Sequence, residues 1–289
     1  MPDGRYVILD VFSAAAYGGN PLAVFLDGED FTTAQMQTIA RELNLSETTF
    51  VTPGASAGRF AVRIFTPGAE LPFAGHPTIG TAIALAQRGR TGATEIVLEE
   101  GVGPVRVSLR HGHATLHRDG APETVPVHAA AADIAAALGL SAEAMAGPAW
   151  IASYGTAMLF VPVADMEAVA ASAARPDRWE ALGLPARGIY VYAVTSRAAD
   201  RASLHARMYA PALGVAEDPA TGAAAASLAG SLPGMPADGV FHLDIAQGIE
   251  MGRPSRIETA TRLAAGHVTG ISVGGAAVIV GEGRLLRLP

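Results

Sequence analysis

The sequence predicts an α+β protein of two pseudosymmetric domains, each a mostly antiparallel sheet curled around one buried helix. The first observation behind this is an internal duplication. Arg63-Ile-Phe-Thr-Pro67 followed by His76-Pro-Thr-Ile-Gly-Thr-Ala82 recurs as Arg207-Met-Tyr-Ala-Pro211 followed by Asp218-Pro-Ala-Thr-Gly-Ala-Ala224. The step from proline to polar residue is nine positions in one copy and seven in the other, a difference that a loop absorbs at small entropic cost. The copies lie 142 residues apart, about half the chain, which points to two domains and not to a solenoid with repeats of about 20–50 residues. The second observation is that the stretches near 77–87 and 219–232 are built of Ala, Gly, Thr, Ile, Leu and Ser with no polar face, as a helix buried all round requires. The third is that short strand-like runs between glycine turns fill the rest, and no G-x-G-x-x-G follows a strand.

In chain order, residues 5–12 read as a strand, and Gly18-Gly-Asn-Pro21 turns into a second at 22–26, giving a hairpin. Thr32 or Thr33 caps a helix reaching about Leu43, with Met36, Ile39, Ala40 and Leu43 at helical spacing. A polar break at 44–50 leads into a strand, and 59–65 alternates as another. Pro77 and Pro219 suit the first helical position, which places His76 and Asp218 at the N-caps of the two central helices. Residues 94–118 hold two or three strands broken at Gly101-Val-Gly-Pro104 and His111-Gly-His113. The stretch 119–126 reads as a linker, dividing the chain into domains 1–120 and 121–289, with the last strand free to cross back to the first. The Ala-rich stretch 129–147 reads as one or two surface helices, and 166–182 as a helix broken at Pro176. Between them, 150–163 has strand character and a place before the second motif like that of the Glu47 segment before the first. Residues 188–195 and 203–209 are strands leading to the second central helix, and the chain ends in a hairpin over 274–288.

Composition removes whole classes of chemistry. The 289-residue chain has no cysteine, and all 20 basic residues are arginine. Disulfides, thiolate metal sites, thiol catalysis, Schiff bases, a pyridoxal phosphate anchor and a P-loop lysine are thereby excluded. A net charge of −7 offers no footprint for nucleic acid. No apolar run approaches a membrane span, and the first residues lack the basic flank and apolar core of a leader. The expectation is a soluble cytoplasmic protein acting through carboxylates, histidines, hydroxyls and backbone.

Motifs along the chain then point to a family. Asp10-Val-Phe with Gly19-Asn-Pro-Leu-Ala-Val24, Asn44-Leu-Ser-Glu-Thr48, Arg63-Ile-Phe-Thr-Pro67, Glu70-Leu-Pro-Phe-Ala-Gly-His-Pro-Thr78, Glu217-Asp-Pro-Ala-Thr-Gly222 and Gln247-Gly with Met251-Gly-Arg-Pro-Ser255 resemble the signature of the phenazine-biosynthesis PhzF-like isomerases. The resemblance runs through nearly the whole chain in order. It implies the diaminopimelate-epimerase-like fold, in which each domain is a β-barrel around a central helix and the active site lies between the two. It also implies a homodimer and an acid/base isomerisation of a small carboxylated metabolite, with no cofactor and no metal.

Glu47, His76 and Asp218 are the candidate catalytic residues. A solvated turn before a strand would account for Glu47, but a carboxylate between Leu45 and Phe50 is also placed for partial desolvation, which raises a carboxyl toward general acid/base work. The resemblance makes Glu47 the proton carrier. Histidine is a poor N-cap, so stability does not explain His76; at a helix N-terminus it should be neutral and orient substrate or Glu47. Asp218 would serve as a cap for stability alone, and its relation to His76 by the duplication argues for holding a cationic or hydroxyl group. Gly75, Pro77, Asn20, Thr221, Gly222 and Ala223 are assigned to substrate binding, chiefly through backbone N–H groups at the helix starts; helix-to-sheet packing would explain Gly80 and Gly222 equally. Ala223 departs from the family pattern, where serine commonly follows the T-G of the second motif. Two other readings stay open: a metal-free epimerase or racemase, disfavoured by the lack of cysteine, and a non-catalytic small-molecule-binding protein of the same fold.

Overall fold

A computed structural model describes residues 4–211 and 215–289. Met1–Asp3, the start of the segment read as lacking a leader, and residues 212–214 of the second motif's loop lie outside them. The chain divides into two compact units, 1–118 with 273–289, and 119–272.

In the first unit, strands Arg5–Val11 and Asn20–Phe25 form the expected antiparallel hairpin. Helix Thr33–Leu43 follows, capped by a reciprocal Thr32/Gln35 box and stopped by Asn44 in the left-handed conformation. It returns the chain so that strand Glu47–Pro53 lies parallel to Asn20–Phe25. Strand Arg59–Phe65 pairs antiparallel with Glu47–Pro53 and parallel with Glu95–Glu100. A meander through Gly103–Arg110 and His113–Asp119 follows. The last strand, His267–Arg284, pairs with His113–Asp119 and with Arg5–Val11, which closes an eight-stranded barrel. Closure of this kind is how a barrel removes the open edges of its sheet. Inside runs the first central helix, Gly75–Gln87, with every residue from Gly75 to Leu85 buried. Gly80 is a packing glycine, since a Cβ there would lie 2.6 Å from both Leu22 and Val11.

The second unit repeats this order. Trp150–Ser153 and Ala157–Pro162 form a hairpin, Ala157–Pro162 lies parallel to Gly188–Arg197, and Gly188–Arg197 pairs antiparallel with Arg201–Ala210. Arg201–Ala210 runs parallel to Gly239–Gln247, which pairs antiparallel with Ser255–Ala264. Two short helices, Met166–Ala171 and Pro176–Ala181, replace the one at Thr33–Leu43. The second central helix, Gly222–Ser231, is buried at Gly222 and from Ala224 to Ala229.

The duplication extends to side chains. Arg63 forms a bidentate pair with Glu70 and stacks over Phe65, its Cζ 5.1 Å from the ring centre. Arg207 does the same with Glu217 and stacks over Tyr209 at 5.2 Å. Each arginine thus ties its strand to the short strand that precedes its central helix.

Four expectations are corrected. The central helices begin at Gly75 and Gly222 behind N-caps Ala74 and Thr221, so neither His76 nor Asp218 is a cap. Pro77 sits third in its helix, where a missing N–H is as harmless as at the first position, and Pro219 precedes its helix altogether. The terminal hairpin is a single long strand, because Gly274 is a packing residue whose Cβ would meet Thr115 at 2.6 Å. The counterpart of the Glu47 strand is Gly188–Arg197, and residues 150–163 correspond to the first hairpin. The Ala-rich stretch yields helix Ala131–Ala137 and a 3-10 turn, Ala142–Ala144, in line with one or two helices. Within the stretch read as a linker, Glu123–Val125 pairs as a strand with Trp150–Ser153.

Candidate active site

Glu47 opens its strand opposite Leu22, and His76 is the second residue of the central helix. The two elements are held in register by a buried hydrogen bond between the Thr49 and Thr81 hydroxyls, 2.9 Å long. The result sets His76 Nε2 3.3 Å from Glu47 Oε2, with side-chain exposures of 7% and 16%. Burial pulls the His76 pKa down to about 3, against a hydrogen bond to the Pro21 backbone that favours the cation. Pro21 has no N–H, so the imidazole donates and the Pro21 carbonyl accepts. Nε2 has no hydrogen-bond partner, which assigns the Pro21 bond to Nδ1. His76 is therefore neutral with its proton on Nδ1, and an Nε2 lone pair faces the Glu47 carboxyl. Asn20, fully buried, lies next to Pro21 in the same strand. Gly75 and His76 supply the open N–H groups of the first turn; Pro77 supplies none.

In the second unit, Asp218 ends strand Val215–Asp218 and accepts the Thr221 hydroxyl at 2.5 Å. Sequence reasoning missed the residue that shapes this turn. Gln247, fully buried, donates through Nε2 to the Asp218 carbonyl at 2.7 Å and to Thr221 Oγ1 at 3.1 Å. Its Oε1 accepts from the Thr221 N–H and from the Tyr190 hydroxyl. Burial and the Asp218 charge push the Tyr190 pKa up, so this hydroxyl remains a donor. Gly248 follows in the left-handed region, and a Cβ there would lie 2.6 Å from the Pro219 carbonyl oxygen, so both conformation and space call for glycine. The available signal was a Gln-Gly pair within the quoted motifs. Gly222 begins the helix and Ala223 is its half-buried second residue. The first unit thus gathers Glu47, His76, Gly75, Pro77 and Asn20, and the second gathers Asp218, Thr221, Gly222 and Ala223.

One difference between the copies bears on chemistry. Phe50 stands opposite Arg63 as Val191 stands opposite Arg207, so Glu47, opposite Leu22, is matched by Gly188, opposite Met158. Gly188 has no room for a side chain, since a Cβ would lie 2.8 Å from the Tyr209 carbonyl oxygen. The second unit cannot carry a carboxylate at the position of Glu47.

The profile of the phenazine biosynthesis-like proteins matches residues 9–283. The chain belongs to this family. It is 40% identical to an uncharacterized isomerase of Mesorhizobium japonicum over 99% of both chains. It is 36% identical to the trans-2,3-dihydro-3-hydroxyanthranilate isomerase of Pseudomonas fluorescens, over 98% of this chain and 99% of that one. A PhzF-family protein of Bacillus anthracis shares the fold at a TM-score of 0.88 and 24% identity, over 99% of this chain and 100% of that one. Isomerase, the enzyme class these sequence relatives share, is the class of this phenazine biosynthesis-like protein. Its fold is diaminopimelate-epimerase-like.

Proposed function

We propose that this family member is a cofactor-independent isomerase that moves a proton, and with it a double bond, within a small carboxylated substrate. Glu47 as carboxylate takes a proton from one carbon, the electron pair of that C–H bond shifts the double bond, and Glu47 returns a proton to a second carbon. Net composition is unchanged. The observation that carries this reading is the buried contact of Glu47 with a neutral His76. Once the carboxyl holds the proton, the Nε2 lone pair can accept it as a hydrogen bond, so the intermediate protonation state has a partner in place. Asp218 takes part by holding a cationic or hydroxyl group of the same substrate, and the open N–H groups of the helix starts hold its carboxylate. The fluorescens relative's substrate, trans-2,3-dihydro-3-hydroxyanthranilate, has these features: a ring carboxylate, an amine and a hydroxyl.

The absence of a second base at Gly188 favours isomerisation over epimerisation, which is expected to place bases on both sides of one carbon. The test is turnover of trans-2,3-dihydro-3-hydroxyanthranilate and a panel of related cyclic carboxylates. Wild type should convert at least one of them, and Glu47→Gln should slow it by about 10²–10⁴. Near-normal turnover by Glu47→Gln would move the proton to another group and end this reading.

A further inference from the structure

The carboxyl of Glu100 is buried beside the start of the first central helix, and the mechanism above does not use it. Glu100 is 7% exposed, and its Oε2 has no hydrogen-bond partner. Its Oε1 lies 2.8 Å from Thr78 Oγ1, and that hydroxyl lies 2.7 Å from the carbonyl oxygen of Ala74, the N-cap. A hydroxyl has one hydrogen to give. Both contacts are hydrogen bonds only if Thr78 donates to Ala74 and Glu100 donates to Thr78, which requires a protonated Glu100. Ionised, Glu100 draws the Thr78 hydrogen away from the cap and leaves a buried charge with an unsatisfied oxygen.

The residues around Glu100 fasten the same lead-in. The Val102 N–H donates to the Pro72 carbonyl at 3.1 Å, and a Cβ on Gly101 would lie 2.7 Å from the Pro72 Cα. The Arg118 guanidinium sits over the Phe73 ring at 5.2 Å.

We propose that Glu100 is a positioning residue: as the neutral acid it holds residues 72–75, and through them His76 and the open N–H groups of the first turn, and its ionisation releases them. Burial pushes this carboxyl up to about 8, against the Arg118 charge, which favours the ion. Thr78 faces Glu100 from the helix and Arg118 acts on it from strand His113–Asp119. On the same strand Glu99 is engaged by Arg59, and the ladder partner of Glu100 is the uncharged Gly103. The link to turnover rests on the isomerase reading; the structural claim does not.

The experiment is ¹⁵N NMR of the histidine rings without substrate from pH 6 to 10, with His76 assigned by its loss in His76→Gln. In wild type the His76 nitrogens should shift with a midpoint near 8 while remaining in the neutral range. Glu100→Gln, whose amide can donate to Thr78 at every pH, should remove that step and keep the low-pH spectrum; Glu100→Ala should show the high-pH spectrum throughout. Absence of the step in wild type, or its persistence in Glu100→Gln, would overturn the proposal. With trans-2,3-dihydro-3-hydroxyanthranilate, wild-type kcat/KM should fall about tenfold for each pH unit above the midpoint and Glu100→Gln should stay flat. A clear NMR step with no turnover of any substrate would count against the isomerase reading and leave the positioning role standing.

Discussion

His76 and Glu100 are buried titratable groups whose effects on stability have opposite sign. The native pKa of His76, about 3, lies below its ordinary 6.5, so between those values the unfolded chain binds more protons. Its contribution to stability is complete above pH 6.5 and is lost as pH falls toward 3. Comparing urea unfolding of wild type and His76→Gln across this window isolates the effect, which should reach a few kcal/mol, on the order set by about 1.36 kcal/mol per pKa unit. For Glu100 the native pKa is raised from 4.5 to about 8, so the native state binds more protons and stability falls as pH rises through that range. Glu100→Gln should flatten this slope and be the more stable protein at pH 8; an unchanged slope would mean that the carboxyl is solvated. At position 223 a smaller effect is expected. Ala223→Ser adds a hydroxyl in the first turn of the second helix, where serine is well tolerated, and one hydrogen bond of about 0.5–1.5 kcal/mol should alter selectivity among substrates and leave the fold intact. Identical affinities and turnover across a panel would show that residue 223 does not face the ligand.

The two arginine–glutamate ties allow the same device to be tested at two depths. Arg63–Glu70 has side-chain exposures of 36% and 40%, and Arg207–Glu217 of 13% and 15%. Glu70→Gln should therefore cost within about 1 kcal/mol, as for a surface pair. Glu217→Gln should approach the roughly 3–5 kcal/mol of a broken buried pair, less what Arg207 retains through the Ala170 and Ser172 carbonyls. Equal costs in chemical denaturation would refute the role of burial. The arginine–glutamate ties were not read from the sequence, whereas the buried helices and most strands were legible in it, because apolar faces and a repeated motif leave a direct periodic trace. The helix starts were not, since a proline is tolerated through the whole first turn and does not mark one position. The glycine-rich end, 274–288, read as a hairpin because sequence does not separate a glycine that bends the chain from one that makes room for a neighbour, as Gly274 does for Thr115. Glu47 and His76 were legible as candidate residues, but the Pro21 bond that fixes the imidazole tautomer, the Gln247 clamp and Glu100 arise from contacts between distant strands, which spacing does not encode.

Across the whole molecule, one topology is used twice, and the carboxyl proposed to carry the proton, Glu47, stands in only one of the two copies, its counterpart being Gly188. The gaps between motifs differ in the two halves, so the match of Glu47 to Gly188 emerges only from strand register. An epimerase reading needs a second base, and the crowded Gly188 denies it the equivalent position. The central claim is that Glu47 alone carries the proton between two carbons. It is tested most directly by running the reaction on trans-2,3-dihydro-3-hydroxyanthranilate in deuterated water and locating the label by NMR. We expect deuterium at the one carbon that gains the proton, diluted by return of the original hydrogen from a shielded carboxyl, and recovered substrate of unchanged configuration. Epimerised or exchanged substrate, or the same labelling at undiminished rate in Glu47→Gln, would contradict it.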